Sequence, residues 1–118
     1  MTRLYVDCDD TLALYGNEAG ENPLGVELGY PWRPNEPLID AINDFVAKYP
    51  RTTVIIWSGG GRDYAEEFRQ RLLPDINASA AEKDDSVLDA DCIVIDDCFF
   101  PACRHYFPDD LSWTELGH

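Results

Sequence analysis

Near the N-terminus, "LYVDCDDTL" places Asp7, Asp9, Asp10 and Thr11 in one turn after the apolar run Leu4-Tyr5-Val6. Like charges held this close repel, and a fold avoids the arrangement unless something cationic sits among them. A second acidic pair, Asp96-Asp97, follows another apolar run, "CIVI". Asp7, one of Asp96 and Asp97, and a backbone carbonyl near Asp9 would offer hard oxygen donors from two strand ends, a set that suits magnesium and a phosphate-bearing substrate. The set has no histidine partner, which argues against zinc or iron. Ser58, Gly59, Gly60 and Gly61 lie between an apolar run and a helical pattern, where backbone N–H groups and the helix dipole favour a phosphoryl oxygen. No Gly-Lys-Ser/Thr follows these glycines, so they do not form a nucleotide P-loop. The chain has two lysines. Lys48 sits near the end of a helical segment, a favourable place for a solvated cation, which leaves Lys83 as the cation that could return to the acidic cluster.

Positioning these groups requires strands that end together. Residues 4–7 read as a strand, and residues 52–57, "TTVIIW", as one covered on both faces. "DCIVID", residues 91–96, is a third. "NEPLIDAINDFVAKYP" has a helix signature: Asn35 caps, Pro37 suits the first turn, Leu38, Ile42, Phe45, Val46 and Tyr49 recur at helical spacing, and Pro50 ends it. "DYAEEFRQRLL" repeats the pattern through Tyr64, Phe68 and Leu72. A short edge strand is expected near Ile76, then a helical turn or two over "SAAEKDDSVLDA", and the aromatic tail is expected to add a final strand and cover the sheet. Residues 13–34 are rich in Gly, Pro and Asn and read as a flap or hairpin-like excursion, the kind of long connection that usually serves function. Strands alternating with helices specify one α/β domain, 1–118, with a mainly parallel sheet, whose ligands bind at the carboxyl ends of the strands. Asp7, Asp9, Ser58, Asp96 and Asp97 all fall at such ends.

Composition narrows the partners. Nine basic residues against 23 acidic ones give a formal charge of −14, which repels nucleic-acid backbones and anionic membranes at long range. The apolar run after Met1-Thr2-Arg3 is too short for a signal peptide, and no segment is long enough to span a bilayer, so the expected compartment is the cytoplasm. The four cysteines are then expected as thiols. Cys98, Cys103 and His105 invite a metal reading, but their spacing fits zinc patterns poorly and no second CxxC accompanies them. Trp32, Trp57 and Trp113 read as packing residues, and Arg62 as either a substrate contact or a surface arginine.

"VDCDDTL" resembles motif I (DxDxT) of the haloacid dehalogenase-like (HAD) phosphohydrolases, Ser58 after "VIIW" resembles motif II, Lys83 motif III and "IVIDD" motif IV. The four occur in the family's order and span nearly the whole chain. The resemblance implies a HAD-like Rossmannoid three-layer sandwich without a cap domain, acting as a magnesium-dependent phosphatase. Asp7 would be the nucleophile that becomes an aspartyl-phosphate, and Asp9 the acid and base. Ser58, Gly59 and Lys83 would bind the phosphoryl group, and Thr11 would brace the turn. Asp7, the Asp9 carbonyl and an Asp of the 96–97 pair, Asp96 preferred, would hold Mg2+. The substrate would be a phosphorylated small molecule, a nucleotide or a polynucleotide end, and a homodimer could cover the open site. Two rivals stand beside it. One is a HAD-fold binding or regulatory subunit with little catalysis. The other is a phosphorylation-receiver domain, whose mid-chain phosphoryl-accepting Asp is here replaced by Ser58.

Overall fold

The computed structural model describes residues 2–15 and 32–117. Five strands form an entirely parallel sheet: β1 (Arg3–Asp7), β4 (Thr53–Ser58), β5 (Ala78–Glu82), β6 (Cys92–Ile95) and β7 (Arg104–Tyr106), in the order β5-β4-β1-β6-β7. A separate antiparallel pair, β2 (Ala13–Tyr15) and β3 (Trp32–Pro34), closes the base of the 13–34 excursion; residues 16–31 of that excursion lie outside the described residues. Among the described residues no helix is long and apolar enough to cross a membrane.

Two helices complete the framework, α1 (Glu36–Lys48) and α2 (Arg62–Leu72). The Asn35 side chain accepts from the Leu38 N–H, which caps α1, and Pro37 occupies the first turn, where no intrahelical N–H bond is needed. The expected stripe is buried at Leu38, Ile42 and Phe45 on α1, and at Tyr64, Ala65 and Phe68 on α2. Each large apolar side chain taken fully from water contributes about 1.5–3 kcal/mol. Both helices pack on the same side of the sheet, against Leu4, Val6, Val54, Ile56, Ile93 and Ile95. Trp113 joins them there, meeting Phe45 edge-on at 5.2 Å.

The shared side follows from connection handedness. Steps from β1 through α1 to β4, and from β4 through α2 to β5, advance in one direction across the sheet, so right-handed crossovers put both helices on one face. The chain then reverses, passing from β5 to β6 on the far side of β1. Accordingly the opposite face, built on Tyr5, Trp57, Cys92 and Val94, is covered by Leu88, Phe100 and Cys103 from connecting segments. The reversal places a topological switch point between β1 and β6, where open α/β sheets bind ligands.

One expected element is corrected. The helical turns anticipated over residues 79–90 are instead β5 followed by a single 3-10 turn, Asp85–Val87, and the edge strand expected near Ile76 begins at Ala78. "ASAAE" has helix-forming residues, but pairing with β4 from Val54 to Ser58 overrides that preference. The tail does add a strand, β7.

Asn35 also ties the helix to the acidic turn: its Nδ2 donates to the Thr11 carbonyl at 2.9 Å and its backbone N–H to the Leu12 carbonyl at 2.8 Å. Replacing Asn35 by Ala removes the cap and takes the Nδ2 donor from the Thr11 carbonyl. Urea unfolding should register a loss of about 1–2 kcal/mol; an unchanged midpoint would show that the link carries no stability.

Candidate active site

The acidic turn is a compact loop. The Cys8 carbonyl accepts from the N–H groups of Leu12 and Ala13, both at 3.0 Å, and Asp10 N–H donates to the Ala13 carbonyl at 2.7 Å. Closing the loop puts Asp10 at φ +58°, a left-handed conformation that Asp tolerates better than most non-glycine residues. Asp7 and Asp9 emerge on the same side. The Asp7 carboxyl is braced by the Thr11 hydroxyl, which donates to Oδ2 at 3.1 Å, and Asp9 Oδ1 accepts from the Tyr64 hydroxyl at 2.8 Å.

Lys83 is the first residue after β5, so it enters from a strand end and not from the helical stretch expected there. Its Nζ lies 2.9 Å from Asp7 Oδ1 and 2.8 Å from Asp96 Oδ2. Its own N–H donates to the Ser58 carbonyl at 3.0 Å, which fixes the end of β5 against the end of β4. Ser58 Oγ accepts from the Gly60 N–H at 3.0 Å, leaving its O–H to donate elsewhere. Gly61 then caps α2 at φ +107°, a conformation that strains any residue with a Cβ.

These groups surround a cavity of about 360 Å³ lined by Asp7, Asp9, Asp10, Ser58, Gly59, Lys83, Asp97 and Cys98. Six of the sequence-derived site positions, Asp7, Asp9, Ser58, Gly59, Lys83 and Asp97, therefore meet at one place. Asp96 and Thr11 stand behind the wall, both fully buried. Asp96 uses Oδ1 to accept from the Cys98 N–H at 2.9 Å and Oδ2 to face Lys83; its carbonyl lies 2.9 Å from His105 Nε2. Asp97 is the exposed member of the pair. The Cys98, Cys103 and His105 reading finds no support: Cys103 Sγ donates to the Phe100 carbonyl, His105 holds Asp96, and Cys98 groups with Asp96 and Asp97.

Asp10, from the same acidic turn, and Cys98, next to Asp97, complete the wall, and Tyr64 joins this neighbourhood without any sign of it in its sequence position. Tyr64 reads as one more apolar position of α2, and nothing in its spacing announces a bond to Asp9.

Electrostatics are unbalanced. Burial pushes the Asp7 carboxyl up to about 8, Asp96 beside it adds to the shift, Lys83 opposes it, and a hydrogen bond with Asp97 raises it further. Asp96 is raised as well, by burial first, against the pull of Lys83. Burial works against the Lys83 ammonium, but Asp7 and Asp96 together hold it firmly charged. One ammonium serves two buried carboxylates, and Asp97 lines the same cavity as Asp7. The carboxylates at this gap offer oxygen donors, the chemistry of a hard divalent cation.

Without a cation, Asp7 is protonated in the folded chain at pH values where the unfolded chain has ionised it, since its ordinary value is 3.8. Such a group contributes stability that is complete below the unfolded value and lost as pH rises toward about 8. In chelator, the wild-type melting temperature should fall between about pH 6 and about pH 8.5, and Asp7→Asn should fall less. Parallel curves would show that Asp7 is not the strained group. No family model, curated protein or solved structure matches the chain.

Proposed function

We propose that this chain is a small HAD-like phosphatase, magnesium-dependent, that hydrolyses a phosphomonoester through an aspartyl-phosphate on Asp7. The observation that carries the reading is Asp7 held between Lys83 Nζ and Thr11 Oγ1 on the wall of an acidic cavity. Asp9 and Asp97 flank it, and Ser58 and Gly59 share the same cavity. The four stretches that resemble the family's motifs supply all of these groups. The parallel sheet, with its switch point between β1 and β6, is compatible with the Rossmannoid sandwich the resemblance implies.

The donor set fits magnesium. Asp7, the Asp9 carbonyl and Asp97 would hold it; Asp97 replaces the Asp96 preferred from the sequence, because Asp96 is fully buried behind the cavity and retained by Lys83 and the Cys98 N–H. Bound there, the ion would neutralise the carboxylates and draw charge from a phosphoryl oxygen. An Asp7 pushed up to about 8 is a poor nucleophile until a cation favours its ionised form.

In the first half-reaction an Asp7 oxygen attacks phosphorus in line while the ester P–O bond breaks, and Asp9 gives its proton to the departing oxygen. In the second, Asp9 takes a proton from water, the water oxygen attacks phosphorus, and the bond to Asp7 breaks to release inorganic phosphate. Ser58 O–H, the Gly59 backbone N–H and the Lys83 ammonium stabilise the equatorial oxygens throughout. Lys83 also offsets the charge that repels an anionic ester from an acidic chain. The net charge of −14 favours a small phosphate ester over a long polyanion.

The test is hydrolysis of 4-nitrophenyl phosphate with and without magnesium. Wild type should turn it over only with the ion, and Asp7→Asn should lose roughly a thousandfold or more while keeping its circular dichroism spectrum. After EDTA, magnesium should restore activity better than calcium, whose looser, larger shell misplaces the nucleophile. Wild-type turnover by Asp7→Asn would remove the nucleophile assignment. A folded wild type without turnover would favour a binding subunit on the same fold.

A further inference from the structure

Tyr64 lies in the first turn of α2, and its ring is buried against Phe68 edge-on at 5.1 Å. A phenylalanine would satisfy that packing. The hydroxyl instead reaches Asp9 Oδ1 at 2.8 Å, with Tyr64 5% and Asp9 8% exposed. Asp9 lines the cavity while Tyr64 does not, so the tyrosine approaches the carboxyl from behind.

We infer that Tyr64 is a positioning residue for Asp9, holding its carboxyl toward the leaving oxygen through both halves of the reaction. The inference rests on the phosphatase reading above. Its chemical basis is the two-sided nature of a phenol. As a general acid and then a general base, Asp9 alternates between carboxylic acid and carboxylate. A lysine or arginine partner can only donate, and so would favour the carboxylate alone. A tyrosine hydroxyl donates to the carboxylate and accepts from the acid, so its rotation keeps one contact in both states. The same residue leaves the number of charges in an already acidic cavity unchanged.

The glycine loop is shaped around this ring. A Cβ at Gly60 would stand 3.2 Å from Tyr64 Cδ2 and 3.3 Å from Ser58 Oγ. Absence of that carbon lets the Gly60 N–H bond Ser58 Oγ while the tyrosine ring stays against the loop. The residue that would bind the phosphoryl group and the residue that would protonate the leaving group are thus set by one contact surface.

Two esters of similar shape separate this role from simple packing: 4-nitrophenyl phosphate, whose leaving oxygen departs without a proton, and phenyl phosphate, whose more basic oxygen needs one. Tyr64→Phe should lose roughly tenfold or more in kcat/KM, which reports the first half-reaction alone, on phenyl phosphate and less than about threefold on the nitrophenyl ester, while kcat, which includes the shared second half-reaction, should fall on both. In an Asp9→Asn background, Tyr64→Phe should have no further effect on the nitrophenyl ester, because it acts through Asp9. Thermal melts of all variants establish that each is folded. Equal losses in kcat/KM on both esters, or losses that multiply in the double variant, would overturn the positioning role and leave the phosphatase reading intact. Absence of Asp7-dependent turnover by wild type on either ester would overturn that reading, and this inference with it.

Discussion

Everything at the carboxyl edge of this sheet depends on one ammonium between two buried carboxylates. Asp7 ends β1, Asp96 follows the adjacent β6, and neither reaches solvent to any useful extent. Left alone, the pair would be forced to protonate or to part. Lys83 comes from the end of β5, on the far side of β4, and touches both. Losing one partner of such a buried set typically costs about 3–5 kcal/mol, since the remaining charge keeps its desolvation penalty. The arrangement is still one positive charge short. That deficit separates a site suited to a divalent ion from a closed structural ion pair, because a purely structural triad gains nothing from a third carboxylate, Asp97, on the same cavity wall.

Register explains why these three side chains converge. Tyr5 pairs with Val94 and with Ile55, and Trp57 pairs with both Asp7 and Ala81. Side chains alternate along a strand, so Asp7 continues the face of Tyr5, Asp96 that of Val94, and Lys83 that of Ala81. All three follow the sheet face opposite the helices. Phe100, on the same face, lies 5.9 Å from Lys83 Nζ and closes one side of the ammonium to water. Ser58 follows Val54 and Ile56 onto the helix face, beside Gly60 and Tyr64. The cavity therefore straddles the edge of the sheet: the Asp7, Asp96 and Lys83 charges come from one face, the Ser58 hydroxyl and the Tyr64 phenol from the other. A one-residue slip in any of the three strands would send its charged residue to the wrong side.

Much of this was legible in the residues themselves. β1, β4 and β6 are short apolar runs bounded by polar turns, and α1 carries its own cap, first-turn proline and apolar stripe, so pattern and structure agree within a residue or two. The edge strand expected near Ile76 is present as β5, but its extent over 78–82 reads as helix because "ASAAE" has neither β-branched residues nor strict alternation; it is a strand through its partner, β4. Lys83 stands out by charge and scarcity, not by place, and its true position at a strand end could appear only once β5 did. The choice between Asp96 and Asp97 depends on which one the turn after β6 buries, and that is decided by the Cys98 N–H and His105, whose part in it no local pattern announces. Tyr64 shows the deeper limit: period places its ring in the core, but the direction of a hydroxyl is a tertiary fact.

The two faces of the sheet also divide the labour of the molecule. The helix face holds the chain together with Leu, Ile, Val and aromatic packing, and from it the site draws neutral groups: a serine hydroxyl, backbone N–H donors and a phenol. The thinner face carries the Asp7, Asp96 and Lys83 charges. Under the proposed activity, neutral donors set in a rigid, well-packed layer would keep their geometry as charge moves during phosphoryl transfer, which is what electrostatic preorganisation requires. Charged groups on the thinner side can exchange partners, proton for metal ion, without disturbing the core. An acid-rich turn that would be a defect in the middle of either layer is tolerable at the line where they meet, because there Lys83 reaches it and, under the proposed activity, a divalent cation and a phosphoryl group would reach it too.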